Sequence, residues 1–365
     1  MRIAFWHFYT FRLFRGIETL VVSLANALVQ RGVEVSLVTA TPTLRPLVQP
    51  DPKVQVYAYP TGRYYSHTTI VPFYANHFLR HRYDSVVTFF ADFGEGLTWS
   101  LLGKQLDLPL ALYLCYPYSA VPHRYRSFLK LGWHNTARHI LADASWIAKE
   151  AEDLFQRPVP VVPVGTDPLR FRPDPALRAE LRRKYGYSDD DVVMLNVSAL
   201  EPRKGVWRSI QALERLRERA PNVRFFILGK GEDEQHLRDL VDVAGLGERV
   251  IFGGVTSQLE AYYNMADIFL MLPDAEANSI AVHEAMSCEL PVVASNSGGF
   301  AESVAANAGF LIPFDDSQAV DGALLQLIGN PALRQSMGVA GRTGILAHHS
   351  WDRVAAQFLE LVARA

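Results

Sequence analysis

Apolar positions along this chain fall into two alternating rhythms: short continuous runs, and longer stretches in which they recur every three or four residues. Residues 2–8 read as a buried strand. Over residues 17–30, Leu20, Val21, Leu24, Ala27 and Leu28 recur at helical spacing, Gly32 stops the helix, and residues 33–39 read as a second strand. Together these make a βαβ unit. Residues 85–90 and 110–115 continue the strand series, and HILADASWIAKEAEDLF reads as a strand followed by a helix. The pattern then resumes, with strands predicted at 192–197, 223–229, 249–255, 268–272 and 291–294. Helices are predicted to start at Lys204-Gly205, and at 259–265, 279–288, 319–329, 331–348 and 350–365. Between the two series, Pro163, Pro168, Pro173 and Pro175 discourage regular structure. The domain boundary is placed there, giving a first domain over 1–165 and a second over 166–349. Alternating strands and helices of this kind predict the α/β class, as two Rossmann-like domains.

Length agrees with two cores, because 365 residues exceed what one core commonly holds. The chain is 49% apolar and 20% charged, an ordinary globular balance, and its net charge of −2 gives no electrostatic case for binding nucleic acid. Two cysteines, Cys115 and Cys288, make no C-x-x-C pair, so neither a zinc nor a redox motif is expected. A reducing compartment is the simpler reading. The opening MRIAFWHFYTF lacks a signal-peptide core, and no run approaches the ~18 apolar residues of a spanning helix. A cytoplasmic protein is expected, at most peripheral at the inner face of a membrane.

Candidate chemistry concentrates in residues 274–302, DAEANSIAVHEAMSCELPVVASNSGGFAE, where a buried run ends in a polar turn and a helix begins. In a parallel sheet, ligands collect where strands end and helix N-termini start. Asn278 and Ser279 are good N-caps, and the amides beyond them suit an anion. Glu276 and Glu284 lie eight positions apart, about 80° around a helix at ~100° per residue, so both can border one cleft. Carboxylates there either accept short bonds from sugar hydroxyls or only complement the helix dipole. Lys204-Gly205 opens another predicted helix and sets a cation beside backbone donors, where a diphosphate could be neutralised. Gly16 at the first helix entrance suits close approach of a phosphate, though one glycine can be plain turn chemistry. Gly229-Lys230-Gly231 alone is a weak nucleotide signal, and no intact G-x-G-x-x-G follows a strand, which disfavours a dinucleotide dehydrogenase. The segment 57–83 is dense in Tyr, His, Arg and Phe, fitting a surface helix with snorkelling side chains, an acceptor mouth or a headgroup contact. His123, Arg124 and Arg126 suit either an acidic acceptor or a solvated turn.

EANSIAVHEAMSCELPVVAS followed by GGFAE resembles the donor-site signature of retaining GT-B glycosyltransferases of family four. Their usual form is E-G-F-G-L-x-x-x-E-A-M-A-C-G-x-P-V-V-A-S, then G-G-x-x-E. By this resemblance Glu276 approaches the donor sugar, Glu284 holds the ribose, and Asn278, Ser279 and Ile280 present amides to the diphosphate. Asn278-Ser279 replaces a common aromatic-glycine pair, which narrows the pocket and bears on sugar preference. RGIET stands where G-G-x-E is usual, so Gly16 matches the second glycine and Arg15 replaces the first. Gly165-Thr166-Asp167 corresponds to the family's hinge G-V-D. By the same resemblance Lys204 takes the place of the family's phosphate-binding lysine. No arginine stands at Ser198 or Ala199, and Arg203 serves in its place. The turn at Val255 is where relatives contact the base through backbone atoms.

Many relatives carry a histidine facing the donor sugar near the strand at 110–115; here the nearest residues are Cys115 and Tyr116. His7, at the end of the first strand, enters the same cleft or is a satisfied structural histidine. The resemblance spans most of the chain and is most specific over 192–302. It implies two domains facing across a cleft, the last helix (350–365) crossing back to the first. The activity implied is retaining, metal-independent transfer of a hexose to a glycan or lipid-linked acceptor in polysaccharide or glycoconjugate synthesis. No cofactor is implied. The donor is a nucleoside-diphosphate sugar, with UDP favoured over GDP on family frequency, and a peripheral membrane contact would run through the first domain. The alternatives are a GT-B sugar-nucleotide epimerase and a non-catalytic nucleotide-sugar-binding protein.

Overall fold

The structure is a computed structural model that describes residues 1–12, 16–43, 47–60, 67–90, 93–116, 136–274, 276–304 and 307–363. The chain divides into two compact units, Met1–Val164 with Trp351–Ala365, and Gly165–Ser350.

In the first unit the order is β1 (Arg2–Trp6), α1 (Gly16–Gln30), β2 (Glu34–Ala40), β3 (Gln55–Tyr59), α2 (His67–Arg80), β4 (Ser85–Phe90), α3 (Phe93–Gln105), β5 (Leu110–Leu114), β6 (Ala137–Ala142) and α4 (Ser145–Phe155). All pairings are parallel, in the spatial order β3-β2-β1-β4-β5-β6. Central strands are buried on both faces, so they read as continuous apolar runs, as FW and LALYL do. The Gln55–Tyr59 strand is an edge and largely exposed, which hid it in the sequence. The aromatic segment is more than a surface helix. Ile70, Tyr74, His77 and Phe78 of α2 are buried, and His77 lies between the Tyr59 hydroxyl (2.8 Å) and the Tyr83 hydroxyl (2.9 Å). Burial first, and His81 second, push the His77 imidazole down to about 4. Its partners at neutral pH therefore meet an uncharged ring.

The last helix, here Trp351–Val362, packs on α1 of this unit. Phe358 meets Phe5 edge to face at 5.9 Å, Arg31 pairs with Asp352 at 2.9 Å, and Gln357 donates to the Val161 carbonyl at 2.8 Å.

The second unit starts with α5 (Pro175–Tyr185), in a stretch whose prolines predicted irregular chain. Pro175 instead takes the first helical turn, where its missing N–H is no loss, and Asp174 caps the amides of Ala176 and Leu177. Then follow β7 (Val192–Val197), a 3-10 turn (Pro202–Lys204), α6 (Val206–Arg215), β8 (Val223–Leu228), α7 (Glu234–Val243), β9 (Val250–Gly254) and α8 (Leu259–Met265). The unit continues with β10 (Ile268–Met271), α9 (Ile280–Ser287), β11 (Val292–Ser295), α10 (Phe300–Ser303), β12 (Gly309–Ile312), α11 (Ser317–Gly329) and α12 (Pro331–Gly344). Residues Ile345–His349, expected as ordinary helix, form a π-helical turn. The strand order is β12-β11-β10-β7-β8-β9, the same winding as in the first unit. In each unit the chain runs outward from one central strand, then returns to that strand's other side. Apolar side chains fill the layers on both faces of this sheet.

Candidate active site

In the second sheet β7 and β10 are neighbours, yet the chain leaves them toward opposite edges. The crevice beyond their carboxyl ends is the switch point at which doubly wound sheets take ligands. Two turns meet there. The 3-10 turn after β7 carries Arg203 and Lys204 and closes on Gly205, whose φ of +65 is left-handed. The turn after β10 carries Asp274 and Glu276. They are stitched together: the Asp274 amide donates to the Arg203 carbonyl at 2.9 Å. Gly205 lies so near Leu272 that a β-carbon on it would stand 1.8 Å from the Leu272 oxygen. Arg208, one helical turn on from Lys204, donates to Asp274 at 2.6 Å, to Asp315 at 3.1 Å and to the Leu272 carbonyl at 3.3 Å. Its guanidinium lies 4.3 Å from the Trp207 ring centre and 4.7 Å from that of Phe314.

This framework brings Lys204 Nζ to 2.5 Å from Glu276 Oε2, with both side chains mostly buried at 11% and 15% exposure. Arg203 stands behind, 3.6 Å from the same oxygen, and pairs with Glu201 at 2.8 Å. Of the two cations, Lys204 is the closer partner of Glu276. The Glu276 backbone is held in turn by the glycine pair downstream: Gly299 donates to its carbonyl at 2.9 Å, and a β-carbon on Gly298 (φ +61) would lie 2.0 Å from that oxygen.

Ser279 is the N-cap of α9, its hydroxyl accepting from the Val282 amide at 3.4 Å. Asn278 lies one residue outside the cap. Its Oδ1 accepts from the Ser279 amide (2.9 Å) and from the Ser303 hydroxyl (2.6 Å). The Ser279 amide, expected to face an anion, is thus occupied within the loop. The amides of Ile280 and Ala281 come first in the helix, where no intrahelical carbonyl meets them. An oxyanion there would also gain from the positive helix end.

Glu284 has a different setting. Its carboxylate is buried on α9 and accepts from the Tyr263 hydroxyl at 2.8 Å. Burial pushes it up to about 7, against opposing pulls from the Tyr263 hydrogen bond and Arg170. Arg170 itself is paired with Glu260 at 2.8 Å.

The remaining candidates are more dispersed. Val255 follows β9 and is 36% exposed. Gly16 is the first residue of α1, with no atom of the described residues within 4 Å of where its β-carbon would stand. His7 is fully buried just past β1, its ring nitrogen Nδ1 3.2 Å from the Thr10 hydroxyl. Cys115 follows β5, buried, with a thiol pushed well above its ordinary value by burial and then by Asp143. A protonated, enclosed thiol is a poor stand-in for a histidine facing a sugar. Tyr116 beside it is exposed. Arg15, His123, Arg124 and Arg126 lie outside the described residues. Among the described residues, no group of three or more His, Cys, Asp and Glu is gathered to hold a metal ion, and no helix is long and apolar enough to cross a membrane. Sequence reasoning missed Arg208, Tyr263 and Ser303. Only Arg208, four positions after Lys204 on a helix, carried a spacing signal.

Two family models match the chain in tandem: Glycosyltransferase Family 4 over residues 14–170, and glycosyl transferases group 1 over residues 178–344. A GDP-mannose-dependent alpha-(1-6)-phosphatidylinositol monomannoside mannosyltransferase of Mycolicibacterium smegmatis is 36% identical over 212 residues, covering 55% of each chain. A D-inositol 3-phosphate glycosyltransferase of Pseudarthrobacter chlorophenolicus is 32% identical over 212 residues, 55% of this chain and 49% of that one. The match thus spans about half the length of these curated relatives. Among solved structures, HepE of Anabaena in complex with UDP and glucose superposes with a TM-score of 0.84 at 17% identity, covering 100% of both chains. Sucrose-phosphate synthase of Thermosynechococcus elongatus gives 0.83 at 20% identity, covering 100% of this chain and 98% of that one. The paired six-stranded sheets, the tandem family matches and these neighbours agree: the chain belongs to the family-four glycosyltransferases and has their GT-B fold.

Proposed function

We propose that the protein transfers a hexose from a nucleoside-diphosphate sugar to a glycan or lipid-linked acceptor, with retention of anomeric configuration and without a metal ion. The observation that carries this is the Lys204–Glu276 pair set beside the first turn of α9 at the switch point. Lys204, Arg203 and the Ile280 and Ala281 amides supply the positive charge that a diphosphate leaving group requires. Gly16 is assigned to the phosphates by the family motif, and a glycine at the entrance of α1 suits close backbone approach. Glu276, released from Lys204 when the diphosphate takes that cation, orients the sugar hydroxyls. Glu284 accepts from the ribose hydroxyls, and the turn at Val255 meets the base.

In the transfer, the bond between the anomeric carbon and the diphosphate oxygen breaks. The acceptor oxygen bonds to that carbon on the same face, and its proton passes to the departing diphosphate. Lys204 lowers the barrier by stabilising charge that grows as the bond breaks.

Several relatives that are 32–36% identical are named for GDP-mannose, beside the D-inositol 3-phosphate glycosyltransferase at 32%, whereas the UDP-bound HepE neighbours share the fold at 17–18% identity. GDP-mannose is therefore the donor we favour, and UDP-hexose, favoured on family frequency, is the second reading. The same relatives are named for phosphatidylinositol mannosides. An acceptor of that class would bring the first domain to the cytoplasmic face of a membrane.

The test pairs thermal shift with nucleoside-diphosphate release in GDP-mannose or UDP-glucose, with and without a lipid-linked mannoside acceptor. Donor at 100 times its Kd is expected to stabilise the protein by ~2.7 kcal/mol. Slow donor hydrolysis alone, accelerated by acceptor, is also expected. Conversion of the donor to another nucleotide sugar without acceptor would identify an epimerase instead. A protein that neither of these donors stabilises, and that turns over neither, refutes the reading.

A further inference from the structure

Tyr263 is fully buried on α8, its ring packed edge to face on Phe171 at 5.7 Å and tilted against Phe269 at 6.0 Å. Packing alone asks for phenylalanine at such a position, because a phenol hydroxyl taken from water needs a partner. The partner here is the Glu284 carboxylate on α9, which accepts from the hydroxyl at 2.8 Å. A carboxylate has about four acceptor sites. Tyr263 takes one on Oε2, which fixes the plane of the group and leaves the rest for a ligand.

We infer that Tyr263 is a positioning residue for donor binding, its hydroxyl holding the Glu284 carboxylate in the orientation that accepts from the ribose hydroxyls of the nucleotide. This rests on the donor site proposed above.

The surroundings support a role beyond packing. Glu284 is faced by Tyr263 and Glu260 from α8, by Arg170 from the segment ahead of α5, and by Cys288 at the end of its own helix. Arg342 of α12 faces Cys288 and donates to the carbonyls of Ser287 and Phe171. Arg170 is already engaged by Glu260, so the Tyr263 hydroxyl is the direct donor to Glu284 in this set. Burial, and then Glu284 itself, hold the phenol well above its ordinary value, so it remains a donor across the working pH range. Burial raises Glu284 to about 7, and the Tyr263 hydrogen bond acts against that rise. Losing the hydroxyl therefore misorients the carboxylate and also favours its neutral form.

The experiment compares wild type with Tyr263→Phe, Glu284→Gln and the double variant. It reads donor KM, kcat, Tm and the profile of kcat/KM for donor between about pH 6 and 9. Tyr263→Phe is expected to raise donor KM about tenfold, the scale of a lost hydrogen bond to a charged acceptor, with kcat within about twofold. The acidic limb of its profile should move to higher pH, and the double variant should be no worse than Glu284→Gln. A Tyr263→Phe protein that loses Tm but keeps the donor KM and acidic limb of wild type overturns the inference, as do effects that add to those of Glu284→Gln. If Glu284→Gln itself binds donor like wild type, the ribose role of Glu284 falls and this inference falls with it. If Glu284→Gln weakens donor binding and Tyr263→Phe does not, only the role of Tyr263 falls.

Discussion

Lys204→Ala is the most direct probe of the switch-point turn. Its Nζ lies 2.5 Å from Glu276 Oε2, with the two side chains 11% and 15% exposed. Removing one partner of a fully buried pair commonly costs ~3–5 kcal/mol, because the remaining charge is stranded. Here Arg203 stands 3.6 Å from the same oxygen and is 43% exposed, so it can swing in as a wetter substitute. The stability loss should therefore be nearer ~1–2 kcal/mol. The effect on transfer should be larger. Among the described residues no other cation stands as close to Glu276, and deleting one preorganised charge aimed at a leaving oxyanion costs about 100-fold or more in turnover. A change of that size in kcat, with a smaller change in donor KM, is the signature of charge that grows in the transition state. The assay is the initial rate of nucleoside-diphosphate release at saturating donor and acceptor, with Lys204→Met run alongside to retain the aliphatic stem. Either variant turning over within twofold of wild type, with its Tm nearly unchanged, would refute the assignment of Lys204 to the diphosphate.

Three further outcomes follow from single positions. Gly205→Ala should lose ~2 kcal/mol or more, read by urea or thermal denaturation, because the residue is left-handed at φ +65 and a β-carbon would stand 1.8 Å from the Leu272 oxygen. Gly16→Ala should leave Tm unchanged, since no atom of the described residues lies within 4 Å of the new methyl group, yet slow transfer by crowding the diphosphate; equal activity would remove Gly16 from the donor site. Glu284 is raised from an ordinary 4.5 to about 7, so its contribution to stability is intact below pH 4.5 and is lost as pH rises through about 7. Glu284→Gln should consequently raise Tm at pH 8, by up to ~3 kcal/mol of stability, and change it little at pH 4, while weakening donor binding at pH 8, where the wild-type group is ionised.

The layers were legible because parallel strands buried on both faces must be apolar throughout. VVMLNV and IFLM could be read without tertiary knowledge, and they occur as β7 and β10. Exposed or short strands carry no such mark: QVYAY at the sheet edge and GFLI at the far edge were both missed. Pro175 misled by type, since the same residue breaks a helix interior and starts a helix at its first turn. At the site, single residues with strong local chemistry could be read: a capping serine, a lysine before a glycine, two acids around a helix start. The contacts that assemble them could not. Tyr263 reaches Glu284 across 21 positions, Ser303 reaches Asn278 across 25, and Arg208 reaches Asp274 across 66, so no window of sequence contains both partners.

Those long-range contacts bear on the departure of this chain from its family's usual loop. Where an aromatic-glycine pair is common, Asn278 and Ser279 form a polar stitch, with one carboxamide oxygen accepting from the Ser279 amide and from Ser303 of α10. A glycine leaves its amide open to a phosphate but gives the loop freedom that must be lost on binding. The stitch reverses that balance. It withdraws one amide from the anion and in exchange fixes the loop that carries Glu276, whose carbonyl is also gripped by Gly299. Binding then depends more on Lys204 and on the first amides of α9 than a glycine-bearing loop would require. If so, Asn278→Ala frees the Ser279 amide while loosening the Glu276 loop. Donor affinity and turnover should then part company: affinity for free nucleoside diphosphate should hold or rise as kcat falls, because the anion gains a donor and the sugar loses its alignment.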